Sequence, residues 1–296
     1  MRPAIIGDPK ILEHFFVMHI LKPTLLLSVA VAVSACVDAA APARLTQSSA
    51  DLASIVNGTP TGSAYGNVGA LFFDFDSDGV TGGDLLCTGS LITPTVYLTA
   101  AHCIWTPWTT PSSQFYVSFA SDVFAKSAKF IASTKVVVDP QYGHDQANLH
   151  DLALVYLPAA STKGITPVNL PRAGALDDMA AKGQLSKALF VNVGYGTDAT
   201  HTGPPGFSFD GVRKSSKSEF MALQPTWLGL LMNTNATGEG GDCYGDSGGP
   251  KFLDGDNTTI YATVTTGDVP CRATSWDWRL DTPEARGFLG QYVKLP

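Results

Sequence analysis

Apolar residues in this chain come in short runs rather than in long periodic stretches. The segments "VGALFFDF" (68–75), "SLITPTVYLTA" (90–100), "SQFYVSFA" (113–120), "KFIASTKVVV" (129–138), "LALVYL" (152–157) and "ALFVNVGYG" (188–196) have the length and the β-branched and aromatic content of strands. Gly, Pro, Asp and Asn stand between them, and these residues turn the chain or end a strand. From Ile55 onward the pattern predicts an all-β sandwich or barrel. One segment differs. In "DTPEARGFLGQYVKL" (281–295) Thr282 can cap, Pro283 suits the first helical position, and Phe288, Leu289, Tyr292 and Val293 share a stripe, so a C-terminal α-helix is predicted. No repeat is visible in the sequence.

The N-terminal 54 residues follow another rule. "MHILKPTLLLSVAVAVSAC" (18–36) has a polar start with Lys22, an apolar run from Leu25 to Val33 and small residues leading to Cys36. It reads as an export signal over residues 1–35, too short for a membrane span with ordinary flanks. Met18 is an alternative start, because the segment ahead of it is long for the leading part of a signal. The closing "VSAC" resembles the lipobox of bacterial lipoproteins, which would anchor the chain by acylation of Cys36. Cleavage between Ala35 and Ala41 by a soluble-export peptidase is the competing route. Either way the expected location is outside the cell or in its envelope. Residues 36–54, ending "TQSSADLAS", are small and polar and form a leader with little to bury.

Composition narrows the partners. The 296 residues carry a net charge of −7 with no cluster of Lys and Arg, which argues against nucleic acid or an anionic membrane surface. Of five cysteines, Cys36 falls in the signal region, leaving Cys87, Cys103, Cys243 and Cys271. Four cysteines in an exported chain form two bridges, and spacing alone leaves all three pairings open. Zinc is the rival use, but neither Cys-x-x-Cys nor His-Glu-x-x-His occurs, so no metal and no cofactor is expected. "DFDSDG" (74–79) begins like a calcium loop, yet Leu85 stands where the closing Glu belongs, and an acidic hairpin turn is the preferred reading.

The chemistry gathers around "GGDCYGDSGGP" (240–250), where glycines shape an exposed turn about Ser247. A serine hydroxyl needs a base within reach and a third group to hold that base. "LTAAHC" places His102 after an apolar strand, and "HDLALVYL" places Asp151 at the head of another. Each alone reads as a loop residue or a local cap. Together with "GDSGGP", in the order His, Asp, Ser, they resemble the trypsin-like (chymotrypsin-fold) serine endopeptidases of bacterial secreted type, from Ile55 to the C-terminus.

That resemblance implies two packed six-stranded Greek-key β-barrels, divided near residues 165–185, with a C-terminal α-helix and the active site between the barrels. It implies Ser247 as nucleophile, His102 as general base and then acid, Asp151 as the carboxylate orienting the imidazole, and an acyl-enzyme intermediate. The N–H groups of Gly245 and Ser247 would form the oxyanion hole. Asp246 would be buried and would take as its cation the new α-amino group of Ile55, released by cleavage inside "SIVNG". The chain would then be a zymogen activated by another protease. The resemblance also pairs Cys87 with Cys103 and Cys243 with Cys271.

The substrate pocket departs from trypsin. By the same resemblance its floor lies six residues before Ser247, at Gly241, where trypsin has Asp. Asp242 follows, and Asp277 lies on the opposite wall. Either carboxylate could receive a cation, which predicts Arg or Lys before the scissile bond. In the competing reading Asp242 only bonds the pocket wall and Trp276 or Trp278 narrows the slot, favouring small or apolar residues. Thr265 to Gly267 replace the Ser-Trp-Gly of animal trypsins, keeping the main-chain groups that pair with substrate. A monomer acting on protein or peptide substrates is expected. The alternative, a non-catalytic binding protein on this scaffold, is disfavoured because His102, Asp151, Ser247 and the oxyanion glycine are all retained. His144 and His150 are read as loop residues.

Overall fold

Backbone pairing sorts the apolar runs into two sheets. The computed structural model describes residues 55–144, 150–197 and 209–296, all inside the unit Gln47–Pro296. The predicted export signal and leader lie outside the described residues. After β1 (Thr59–Pro60), the first sheet comprises β2 (Val68–Phe72), β3 (Leu85–Thr93), β4 (Val96–Thr99), β5 (Tyr116–Ser118), β6 (Ile131–Ala132), β7 (Lys135–Val138) and β8 (Ala153–Tyr156). Their order is β6-β5-β2-β3-β4-β8-β7. The second sheet comprises β9 (Leu189–Gly194), β10 (Lys214–Leu223), β11 (Trp227–Leu231), β12 (Pro250–Leu253), β13 (Asp256–Gly267) and β14 (Thr274–Arg279), with β1 added to β10.

The second sheet closes. β10 pairs with β11 through its second half and with β9 through its first, so six strands return on themselves. The first sheet does not, which corrects the expectation of two closed six-stranded barrels: it is an open, curled sheet of seven strands whose edges, β6 and β7, are not paired. The reason is local. β6 and β7 are consecutive, and the chain changes partner between them: Ser133 N–H donates to Phe115 O (2.8 Å) and Thr134 N–H to Tyr156 O (2.8 Å). One short segment thus divides its pairing between both edges, and none is left to join them.

Three apolar clusters match the runs read from the sequence. Leu71, Leu91, Tyr97, Val117 and Val155 fill the first sheet, and Leu176, Phe190, Leu228, Leu230 and Ala262 fill the second. Between them Val68, Leu98 and Leu154 pack against Val193, Phe252, Ile260 and Trp278, and against Phe288 and Leu289 of the C-terminal helix. That helix spans Pro283–Leu289, shorter than the predicted segment, with Thr282 Oγ1 accepting from Ala285 N–H as its N-cap.

The sheets are also stitched by a buried cation. Arg213, 2% exposed, donates to the carbonyls of Val68, Phe119, Gly62 and Ala64, to Tyr195 Oη and to Thr61 Oγ1, all within 3.2 Å. A planar guanidinium can serve acceptors spread this widely, whereas an ammonium has three donors. Arg213→Lys is therefore expected to lose about 2 kcal/mol or more in urea unfolding, because buried carbonyls are left without donors. A change below about 0.5 kcal/mol, the range of an ordinary surface substitution, contradicts this role.

Candidate active site

Strand β4 runs into a short helix, α1 (Ala101–Ile104), that carries His102, and Asp151 immediately precedes Leu152 and β8. Since β4 and β8 are paired, Thr99 lies opposite Ala153 and the two side chains meet. Asp151, fully buried, is bound twice: Oδ1 accepts from the backbone N–H of His102 and Oδ2 lies 2.8 Å from His102 Nδ1. A carboxylate only accepts, so Nδ1 carries the proton and Nε2 keeps its lone pair. Burial pulls the pKa of His102 down, but the charge and hydrogen bond of Asp151 outweigh it and hold the imidazole above its ordinary value. The Cys87–Cys103 disulfide ties α1 to β3.

Ser247 sits in a loop held from both sides. Its carbonyl accepts from Thr88 N–H (2.9 Å), while Thr88 Oγ1 donates to Gly245 O (2.9 Å). Gly245 has φ +96° and Gly248 φ +77°, a region that side chains avoid. At Gly248 a Cβ would also strike Thr99, Ala100 and Thr88. Among the described residues, the N–H groups of Gly245 and Ser247 have no protein acceptor. Beneath them Asp246 is fully buried and accepts from Gly196 N–H (2.7 Å) and Cys243 N–H (2.9 Å). Burial, reinforced by the charge of Asp242, pushes its carboxyl up to about 8 against the pull of those N–H groups and of Lys251.

These parts face one cleft of about 670 Å³, lined by His102, Asp151, Gly245, Ser247, Asp242, Thr265, Gly267, Met232, Ser275 and the Cys243–Cys271 disulfide. Thr265 falls at a register shift between β13 and β14, a bulge on the cleft wall. Gly241 and Asp277 are not in the lining. Met232 occupies the space a side chain at Gly241 would need, and Val56 pairs with Gly241 through N–H···O bonds of 2.9 and 3.1 Å. Ile55 is fully buried beside it in sequence, with φ +60°. Asp74, Asp76 and Asp78 do come together, with carboxylate oxygens within 4.8 Å of one another, in an exposed turn where Asp74 and Asp76 accept backbone N–H groups.

Two features escaped sequence reading. Lys251, between Pro250 and Phe252 on β12, is fully buried, with Nζ bonded to Asp242 and Asn192 (2.7 Å) and 3.5 Å from Asp277. A lone Lys within an apolar strand was the available signal. His150 is not a free loop residue: it is buried, with Nδ1 3.3 Å from Asp139 Oδ2 and its ring against Trp278. His144 remains exposed on the cleft rim against Tyr142 and Trp105.

A family model described as Trypsin matches residues 75–275, more than half of the chain. The chain belongs to the trypsin family. Serine protease 28 of Mus musculus is 26% identical over 202 residues, covering 63% of this chain and 70% of that protein. Collagenase of Hypoderma lineatum is 26% identical over 192 residues, covering 63% and 68%. Among solved structures, HL collagenase aligns with TM-score 0.59 and 17% identity over 81% of this chain and all of that one. Mouse neuropsin aligns with TM-score 0.58 and 17% identity over 80% and 99%. At that identity the structures speak for the fold, and membership of the family makes this chain a serine protease. The described part of this trypsin-family enzyme contains no helix long and apolar enough to cross a membrane.

An NMR titration of His102 is expected to give a midpoint above its ordinary value of 6.5, and Asp151→Asn is expected to lower that midpoint. A midpoint that ignores the substitution contradicts the electrostatic account.

Proposed function

We propose that this enzyme is an endopeptidase that cleaves peptide bonds with Ser247, His102 and Asp151 through an acyl-enzyme. The observation carrying this reading is one cleft that holds the His102–Asp151 pair, Ser247 and two N–H groups without acceptors. Ser247 Oγ attacks the scissile carbonyl and passes its proton to His102 Nε2, while Asp151 stabilises the imidazolium. The Gly245 and Ser247 N–H groups take the oxyanion, each worth roughly 3–4 kcal/mol of transition-state stabilisation. His102 then protonates the leaving amine, and water, deprotonated by the same imidazole, releases the acyl group. A fluorophosphonate probe tests the reading directly: labelling is expected at Ser247, and its absence in the processed protein would sink it. Ser247→Ala and His102→Ala should each abolish hydrolysis, with the double substitution adding little, since such residues act as a unit. Fully additive losses would contradict that unit.

The same reading makes the chain a zymogen, exported by a bacterial cell, released or anchored through Cys36, and active as a monomer after cleavage of Ser54–Ile55. Two features support activation. Ile55 is buried with a positive φ, costly for a β-branched residue, and cleavage removes the preceding carbonyl that makes it so. Asp246, with its carboxyl pushed up to about 8, has no ion-pair partner among the described residues, and the α-ammonium of Ile55 would supply one. The unprocessed chain is therefore expected to be slower by on the order of 100-fold or more. Folded, it retains on Asp246 a proton that the unfolded chain releases. Its stability should thus fall as pH rises from the ordinary carboxylate range through about 8. After processing this contribution should vanish, because the ammonium holds Asp246 ionised. Urea midpoints at both ends of that range check the sign, and full activity with the leader attached would exclude the zymogen.

A further inference from the structure

Behind the cleft wall lies a buried cation that the functional reading does not use. Lys251 has three ammonium protons, and the carboxylates of Asp242 and Asp277 and the amide oxygen of Asn192 surround them. Of these only Asp242 reaches the cleft lining. We propose that Lys251 is a specificity-determining residue, whose buried ammonium neutralises Asp242 on the pocket wall so that the enzyme selects uncharged side chains before the scissile bond and disfavours Arg and Lys. This deepens the endopeptidase reading and rests on it.

Charge accounting supports it. Lys251 lies closer to Asp242 than to Asp277, whose Oδ1 is 3.5 Å away. Burial would discharge Lys251, but the two carboxylates hold its pKa above the ordinary value, so the ammonium persists. One ammonium cannot neutralise two carboxylates, and the second is relieved by a proton: burial, opposed by Lys251 and aided by Asp242, pushes Asp277 up to about 7. Below about pH 7 the cluster of Lys251, Asp242 and protonated Asp277 is then neutral. Ser275 Oγ, 2.9 Å from Asp242 Oδ2 and 2.8 Å from Asp277 Oδ1, closes it on the wall side.

A cationic substrate side chain would have to enter beside the existing ammonium and displace that proton. Among the described residues Asp242 Oδ1 is buried without a partner, and as an acceptor it serves a neutral donor as well as a cation. The neighbouring walls are apolar or uncharged at Met232, Val264, Thr265 and the Cys243–Cys271 disulfide, and the one other carboxylate beside them in the lining, Asp268, already accepts from the N–H groups of Arg272, Ala273 and Thr274. Such walls suit Leu, Met or Gln.

The test is a series of fluorogenic peptides that differ only in the residue before the scissile bond, read as ratios of kcat/KM within one preparation. Such ratios are independent of the active fraction. Wild type is expected to favour Leu, Met or Gln over Arg and Lys by on the order of tenfold or more. Lys251→Met bares Asp242, so a substrate cation can replace the missing ammonium, and the ratio should swing toward Arg and Lys by a similar factor. If that variant fails to fold, adding Asp277→Asn removes the second carboxyl that would otherwise crowd Asp242 in the absence of the ammonium, and the same swing is expected. A wild type that prefers Arg or Lys, or a folded, probe-labelled variant with the wild-type ratio, overturns the proposal. Fluorophosphonate labelling of the wild type separates the two failures: labelled enzyme with a basic preference removes only this inference, whereas unlabelled enzyme removes the functional reading and this with it.

Discussion

The carboxylate of Asp246 is the constraint around which the site is built. It is fully buried and bonded to two backbone N–H groups, and it lies so close to Gly194 and Gly196 that a Cβ on either would collide with it. An uncompensated charge in such a place is costly, and the carboxyl is accordingly pushed up to about 8. The backbone that Asp246 anchors is also the backbone that turns the Gly245 and Ser247 N–H groups away from protein acceptors. A single buried acid thereby links the loop that carries Ser247 to the backbone of Gly196 and Cys243.

Other buried charges are compensated within the fold. Arg213 uses carbonyls from the first sheet and from the segment following β1, joining regions distant in sequence without a carboxylate. Arg279 bonds Asp281 (3.0 Å) and Asp177 (2.8 Å), and Asp281 in turn accepts from Leu176 N–H (2.8 Å), so the C-terminal helix is pinned to residues a hundred positions earlier. Lys251 belongs to the same class by burial but differs in position, because one of its carboxylates faces the cleft. Charges at the seams set geometry, whereas a charge behind the pocket wall also sets what the pocket attracts.

The first sheet opens away from the candidate site for a related reason. His102 and Asp151 depend on the pairing of β4 with β8, which lies away from the partner switch at Ser133 and Thr134. Ser247 depends on Thr88 of β3, which reaches across to the loop with both its backbone N–H and its hydroxyl. The cleft is thus assembled by central strands, and an unpaired seam at the edge can be tolerated.

Local signals determined much of this by themselves. Strand runs at 68–75, 90–100, 152–157 and 188–196, the cap at Thr282, and the glycines about Ser247 depend on near neighbours in the chain, so their physics is written in the sequence. What the sequence could not settle were questions of partner. Whether the first sheet closes depends on how one short segment divides its hydrogen bonds between Phe115 and Tyr156. Whether the loop residue His150 is exposed or buried depends on Asp139 and Trp278 arriving beside it. Whether Asp242 and Asp277 offer charge to a ligand depends on an ammonium nine residues from one and twenty-six from the other, delivered by a strand whose inward face is apparent only in the assembled barrel. Residue type and spacing specify which groups can ionise, but only the tertiary structure decides which of them meet away from water, where a single nearby charge outweighs the intrinsic preference of the group.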